Sequence, residues 1–265
     1  MNRHERRAKA AAARRGQPTI NPTVDPRASA ATELHQHIIQ AGLELGNETL
    51  SKGRSPEILY DLVEGALRLA ESFEKRNPRN PTAIACKKGC SHCCSRPVAS
   101  SAPTVLRIAS ILRQTLSSEA FASVLARVVR LDEKTHGLPF SMSSRPPQPC
   151  ALLVDDACSI HVIRPFVCRA WNSADEDDCR RALKEQAVRM RIDLFQRTVF
   201  SGAEKGMHAA LRAKGLDPVD LEFTAAMRIA MENPDACERW LAGEPVFAGC
   251  EARHDADDRY HLPIA

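Results

Sequence analysis

The sequence predicts a mainly α-helical protein whose helices surround an irregular, cysteine-rich module with little or no β-structure. Three observations lead there. Of 265 residues, 43% are hydrophobic and 26% charged, enough apolar content for a sizeable core, yet only 5% are aromatic. Such a core is filled by Ala, Leu, Val and Ile, which suits helix packing better than a β-sandwich. Several stretches repeat apolar residues at helical spacing, and none sustains strand alternation. Finally, eight of the ten cysteines fall between positions 86 and 179, in two groups.

The elements follow in chain order. Residues 1–27 read as a basic, solvated tail spaced by Pro18, Pro22 and Pro26. A helical N-terminal region, 28–85, contains a helix that Ser55 caps with Pro56 at its first position. Leu59, Leu62, Val63, Ala66, Leu67 and Ala70 keep one apolar face until Asn77-Pro78 ends it. Between the cysteine groups, Val105, Ile108, Ala109, Leu112 and Leu116 form one stripe, and Phe121, Val124, Leu125, Val128 and Leu131 form the next. Ser117-Ser118 stands at the junction, which predicts a helical hairpin with the second helix capped there. Pro139, Pro146, Pro147 and Pro149 then impose an irregular loop. A long helix is expected from about Asp177, with Leu183, Ala187, Met190 and Leu194 on one face and Gly202 and Gly206 as interruptions. A last helix is expected over Pro218 to Met231. Residues 86–180 thus form the cysteine module, and 181–265 a C-terminal helical region.

Charge limits the function classes. The formal net charge is +4, but residues 1–15 hold six Lys or Arg against Glu5 alone, so the remainder is close to neutral. A basic nucleic-acid-binding body is excluded, although a basic arm is not. The opening MNRHERRAKAAAARRG lacks the apolar stretch of a secretory signal, and no later segment is long and apolar enough to span a membrane. A cytoplasmic location is expected, where reduced thiols serve as ligands rather than in disulfides.

The first group, CKKGCSHCC, packs Cys86, Cys90, Cys93 and Cys94 among Lys87, Lys88, Gly89 and His92. A polar, turn-like segment of this kind is not an apolar face. Its spacing lets a tight turn bring sulfurs to the roughly 2.3 Å of a zinc–thiolate bond, with Gly89 supplying the backbone freedom. The second group comprises Cys150, Cys158, Cys168 and Cys179, with Pro165 stiffening the approach to Cys168. Adjacent residues seldom bend toward one tetrahedral ion. Cys93 and Cys94 therefore either serve two metals, or one of them binds while the other packs or bridges. Eight thiols fit two four-Cys zinc sites, or an iron-sulfur cluster beside a zinc. Lys87, Lys88, Arg96, Arg164 and Arg169 are placed to offset the resulting negative charge.

The two groups together resemble the YkgJ family of cysteine-cluster proteins, described as carrying a zinc- or iron-chelating domain. Cys86, Cys90, Cys93 and Cys94 match its first group. Cys158, Arg164, Pro165, Cys168 and Arg169 match its second, with Cys150 before and Cys179 after. Two positions depart from it: the first spacing is Cys-x3-Cys where x2 is common, and His161 stands where Tyr is usual. The resemblance implies a metal-binding module whose zinc or iron-sulfur centre is structural or serves metal handling. A related cluster in flagellin lysine N-methylases gives the alternative, an iron-sulfur enzyme with redox or methyl-transfer activity. Cys86-x3-Cys90-x2-Cys93 also has the radical S-adenosylmethionine spacing, but the βα units of a barrel do not follow. A third reading gives the basic arm an RNA or protein partner.

Other candidates have plainer accounts. His92 reads as a ligand or as an outer partner of the cluster, and His161 as a core histidine or a nitrogen ligand. The acidic run Asp175 to Asp178 complements the positive end of the helix it starts, and Cys179 in that first turn is expected to have a lowered pKa. Cys237, Cys250 and His254 lie outside the two-part pattern and read as packing or surface residues ahead of a looser ligand set. Asp255, Asp257 and Asp258 read as a solvated tail.

Overall fold

The computed structural model describes residues 26–76, 84–87, 89–140, 146–184 and 192–252, with side chains from residue 32 onward in the first stretch. Nine α-helices are present among the described residues: α1 (Pro26–Ser51), α2 (Pro56–Arg76), α3 (Ala102–Thr115), α4 (Ser118–Thr135), α5 (Phe166–Ala170), α6 (Glu176–Lys184), α7 (Leu194–Ala213), α8 (Phe223–Glu232) and α9 (Ala236–Leu241). Two small antiparallel pairs join β1 (Ala99–Ser101) with β4 (Asp220–Glu222), and β2 (Leu153–Val154) with β3 (Ala157–Cys158). The predicted mainly α class is what the chain adopts. Most of the expected basic tail, His254 and the Asp255 to Asp258 segment lie outside the described residues, as do Lys88, Ala187 and Met190.

The predicted stripes are the buried faces. Leu59, Leu62, Val63 and Ala66 of α2 are buried, as are Val105, Ile108 and Ala109 of α3 and Val124 and Val128 of α4. Ser55 and Ser117 act as the expected caps: Ile58 N donates to Ser55 Oγ at 3.4 Å, and Ala120 N to Ser117 Oγ at 3.2 Å. Helices α3 and α4 both rest on α8, while α2 packs on α1 and α7.

Helix α1 falls almost wholly in the region 28–85 expected to be helical, although no apolar stripe marked it, and it starts at Pro26, inside the segment expected to be tail. It packs along α7 through a seam of small residues. A Cβ on Gly206 would stand 2.3 Å from Ile39 O and 2.7 Å from Gly42 Cα, so only glycine lets the two backbones approach this closely. Gly202 and Gly206 are therefore contact positions within a continuous α7 and do not interrupt it.

Three further expectations are corrected. The long helix from Asp177 is two helices: α6 is described as far as Lys184, Ile192 bridges to Ser173, and Asp193 caps α7 by accepting from Phe195 N and Gln196 N. Leu194 lies on the solvent side, 67% exposed, because it belongs to this new first turn. Pro218 to Met231 is not one helix either. Asp220–Glu222 pairs with β1 in the register Ala99↔Glu222, Ser100↔Leu221 and Ser101↔Asp220, and the helix begins only at Phe223. That pairing fastens the end of the first cysteine segment to the C-terminal helices.

Candidate metal centre

The first cysteine segment is a chain of turns. Ala85 N donates to Ser173 O at 2.8 Å, and Ser173 N donates to Cys86 Sγ at 3.4 Å, which anchors the segment to the stretch before α6. Cys90 N returns to Lys87 O at 3.0 Å, and Gly89 takes a φ of +90°, the left-handed conformation expected of it. A 3₁₀ turn, His92–Ser95, then carries Cys93 and Cys94.

The second group folds back onto this segment. Cys150 N donates to Cys94 O at 2.8 Å, and Gln148 N to Ser95 O at 3.0 Å. Strands β2 and β3 are joined by Asp155 and Asp156, both at positive φ (48° and 58°), the backbone of a two-residue hairpin turn whose twist suits the strands. Ser91 Oγ donates to Asp156 Oδ1 at 3.0 Å, so the hairpin tip is tied to the first segment. Cys158 ends β3. Pro165 precedes α5, which carries Cys168 and packs against α7, while α6 carries Cys179.

The thiols divide into two sets that meet at Cys93. Cys86, Cys90, Cys93 and Cys179 line one small cavity with Trp171, Asn172, Ser173 and Ile192. In the second set, Cys150, Cys158 and Cys168, burial is the main cause that raises each thiol's pKa, and Cys93 adds to the rise in all three. The Cys93 and Cys94 side chains hydrogen-bond to each other. Burial is the main cause that pushes Cys150 and Cys179 up to about 11, with further upward push from Cys158, Glu222 and Cys93 on Cys150 and from Cys86, Cys93 and Cys90 on Cys179. The expected lowering for Cys179 is not what its surroundings give: desolvation and three neighbouring sulfurs raise its pKa against the Ser173 hydrogen bond, which lowers it.

Of the expected cations, Arg164 faces the sulfurs, where its charge favours the thiolates of Cys93, Cys158 and Cys168. Among the described residues, the other expected cations have partners of their own. Arg169 pairs with Glu71 at 2.9 Å and lies over the Phe200 ring, Lys87 pairs with Glu176 at 3.6 Å, and Arg96 donates to Ala182 O. His161 is exposed and hydrogen-bonds to Arg164, which corrects its reading as a core histidine: the 3₁₀ turn His161–Ile163 directs it outward. Cys237 and Cys250 are buried in the apolar core, and Cys237 hydrogen-bonds to Tyr60.

The residues present fit a thiolate-bound metal. Clustered sulfurs are soft donors, and both amide atoms of buried Asn172, beside the first set, lack a hydrogen-bond partner among the described residues. Buried Nε of Arg164 lacks one as well. Amide and guanidinium N–H groups are the donors that an anionic metal–thiolate centre takes up. Glu176, whose acidic run has a plain account as helix-start charge, also lies beside the first set. Its Oε1 lies 3.5 Å from His92 Nε2, and with Cys90 these side chains bring three possible ligand atoms within 4.8 Å of one another.

This is a cysteine-lined module of the metal-chelating class. Residues 85–187 match the family model CxxCxxCC, described as "Putative zinc- or iron-chelating domain", and the match covers all eight clustered cysteines and Glu176. No curated protein and no solved structure matches the chain. Among the described residues, no helix is long and apolar enough to cross a membrane.

Proposed function

We propose that this chain is a YkgJ-type metal-binding protein of the cytoplasm. In this reading Cys86, Cys90, Cys93, Cys94, Cys150, Cys158, Cys168 and Cys179 hold zinc or an iron-sulfur cluster in a structural or metal-handling role. The observation that carries the reading is one cavity lined by Cys86, Cys90 and Cys93 of the first half and Cys179 of the second, although the halves are more than fifty residues apart in sequence. Two sets of three, with one thiol of the Cys93–Cys94 pair given to each, make two four-thiolate centres. Each such centre on a divalent ion carries a net charge of −2, which Arg164 and the unpartnered Asn172 amide are placed to receive. Because the ligands come from separate segments, metal binding free energy, about 10 kcal/mol in zinc peptides, would be folding free energy for the module.

Anaerobic purification of the full chain, followed by metal and sulfide analysis and an absorption spectrum, tests this reading. Stoichiometric zinc in a colourless protein, or iron with sulfide in a brown one bleached by dithionite, is the expected result. Cys94→Ser should lower the metal count. Protein that takes up neither metal under reducing conditions would overturn the proposal, and an unchanged count in Cys94→Ser would defeat the division of the pair between two centres.

A further inference from the structure

We propose that Cys90, His92 and Glu176 form a mixed sulfur–nitrogen–oxygen site for a divalent cation of zinc type at the rim of the first thiol set, with the Cys90 thiolate bridging to that set. The inference rests on the chelating reading above and adds two ligands that the cysteine pattern does not contain. His92 stands two residues after Cys90, and the first turn of α6 brings Glu176 against it from a distant part of the chain.

Geometry supports ligation by these groups. In a tetrahedral zinc site with metal–nitrogen and metal–oxygen bonds of about 2.0 Å, the nitrogen–oxygen edge is about 3.3 Å. The observed His92 Nε2 to Glu176 Oε1 separation is 3.5 Å, with Cys90 Sγ inside the 4.8 Å limit of both. The two carboxylate oxygens are also divided between partners: Oε1 faces His92, and Oε2 faces Lys87 Nζ at 3.6 Å. Carboxylates that bind a metal are themselves held by outer partners, a role that Lys87 is placed to fill here. The His92 side chain is 25% exposed and that of Glu176 42%, so the fourth position opens to water. Three protein ligands with one open position distinguish this rim site from the closed four-thiolate sets.

Cobalt(II) is the probe, because its ligand-field spectrum reports donor set and number. Metal-free, reduced full-length protein, its His92→Gln and Glu176→Gln variants, and Glu176→Asp are titrated with Co²⁺ while absorbance and bound equivalents are followed. The wild type is expected to bind one equivalent more than His92→Gln and Glu176→Gln, with Glu176→Asp recovering it and the thiolate-to-cobalt bands retained throughout. Equal equivalents and equal spectra in all four proteins overturn the mixed site while leaving the thiolate centres standing. Loss of every equivalent in either Gln variant overturns it too, since the rim ion would then not be separable. A wild type that binds no cobalt refutes the underlying chelating reading.

Discussion

Substituting Gly206 by alanine tests the scaffold on which the thiol module rests. Helix α5, which holds Cys168, packs on α7, and α7 is seated on α1 through the small-residue seam. The new methyl would stand 2.3 Å from Ile39 O, 2.7 Å from Gly42 Cα and 2.8 Å from Leu43 N, all of them backbone atoms that cannot swing aside. Restoring contact distances requires α1 and α7 to part by at least about 0.7 Å in an interior packed at crystal-like density. Overpacking of this kind costs about 3 kcal/mol at the upper end of its usual range, and the better helix propensity of alanine offsets about 1 kcal/mol. The net loss of about 2 kcal/mol should lower Tm by roughly 4–8 °C in a chain of this size. Gly65→Ala is the control. There the added Cβ meets only the Leu45 side chain, at 3.2 Å from Cδ2, which can move, so the propensity gain should leave Tm unchanged or raise it by roughly 2–4 °C. Thermal unfolding of both variants followed by circular dichroism decides the matter. If Gly206→Ala melts at or above the wild-type temperature, the seam is not the close contact described.

Two other perturbations concern α7. Burial, with Asp220 nearby, pushes Glu204 up to about 8, so between pH 4.5 and 8 the folded protein keeps a proton that the unfolded chain releases, and stability falls as pH rises through that window. Burial, with Arg212 nearby, holds His208 down at about 3, so stability also falls as pH drops below 6.5 toward 3. The wild type should therefore be most stable in mildly acidic solution. Glu204→Gln should remove a penalty on the order of 5 kcal/mol at about pH 8.5, seen as a higher urea midpoint there and little change at about pH 4.5; equal midpoints at the higher pH would contradict the assignment. Asp193→Ala deletes the cap that accepts from Phe195 N at 2.9 Å and Gln196 N at 3.2 Å, and should cost about 1–2 kcal/mol in urea unfolding at constant m-value. A loss below about 0.3 kcal/mol would show that α7 starts without it.

The helices whose burial rests on large apolar residues were legible in the sequence. Leu59, Leu62, Val63 and Ala66, or Val105, Ile108 and Ala109, recur at the helical period because each meets the common core. Helix α1 escaped that test because its contact with α7 is built from Gly42 and Gly46 rather than from a stripe of leucines, and close approach of backbones leaves little periodic signal. The break between α6 and α7 was hidden for a different reason. Leu183 and Leu194 are spaced as one face would space them, while the capping role of Asp193 becomes decisive only once Ile192 bridges to Ser173. The strand at Asp220–Glu222 is three residues long and exists because β1 lies beside it, so its cause is tertiary and not local.

For the candidate site, the same division between local and distant causes decides what the sequence discloses. Thiols at Cys86, Cys90, Cys93 and Cys94 are visible from spacing alone, because a turn-forming segment with four sulfurs has few other physical uses. Glu176 stands in an acidic run that the helix dipole already accounts for, and nothing local separates it from Asp175, Asp177 or Asp178. What singles it out is the direction of one helical turn. Ala85 N and Ser173 O fix the first segment against the start of α6, and from that anchor Glu176 meets both His92 and Lys87, while Asp177 pairs with Arg180 of its own helix. A donor set assembled in this way has its spacing in space and not in sequence. The thiol pattern could therefore announce a metal module, whereas the rim ligands, and with them the difference between a closed centre and one open to water, had to await the fold.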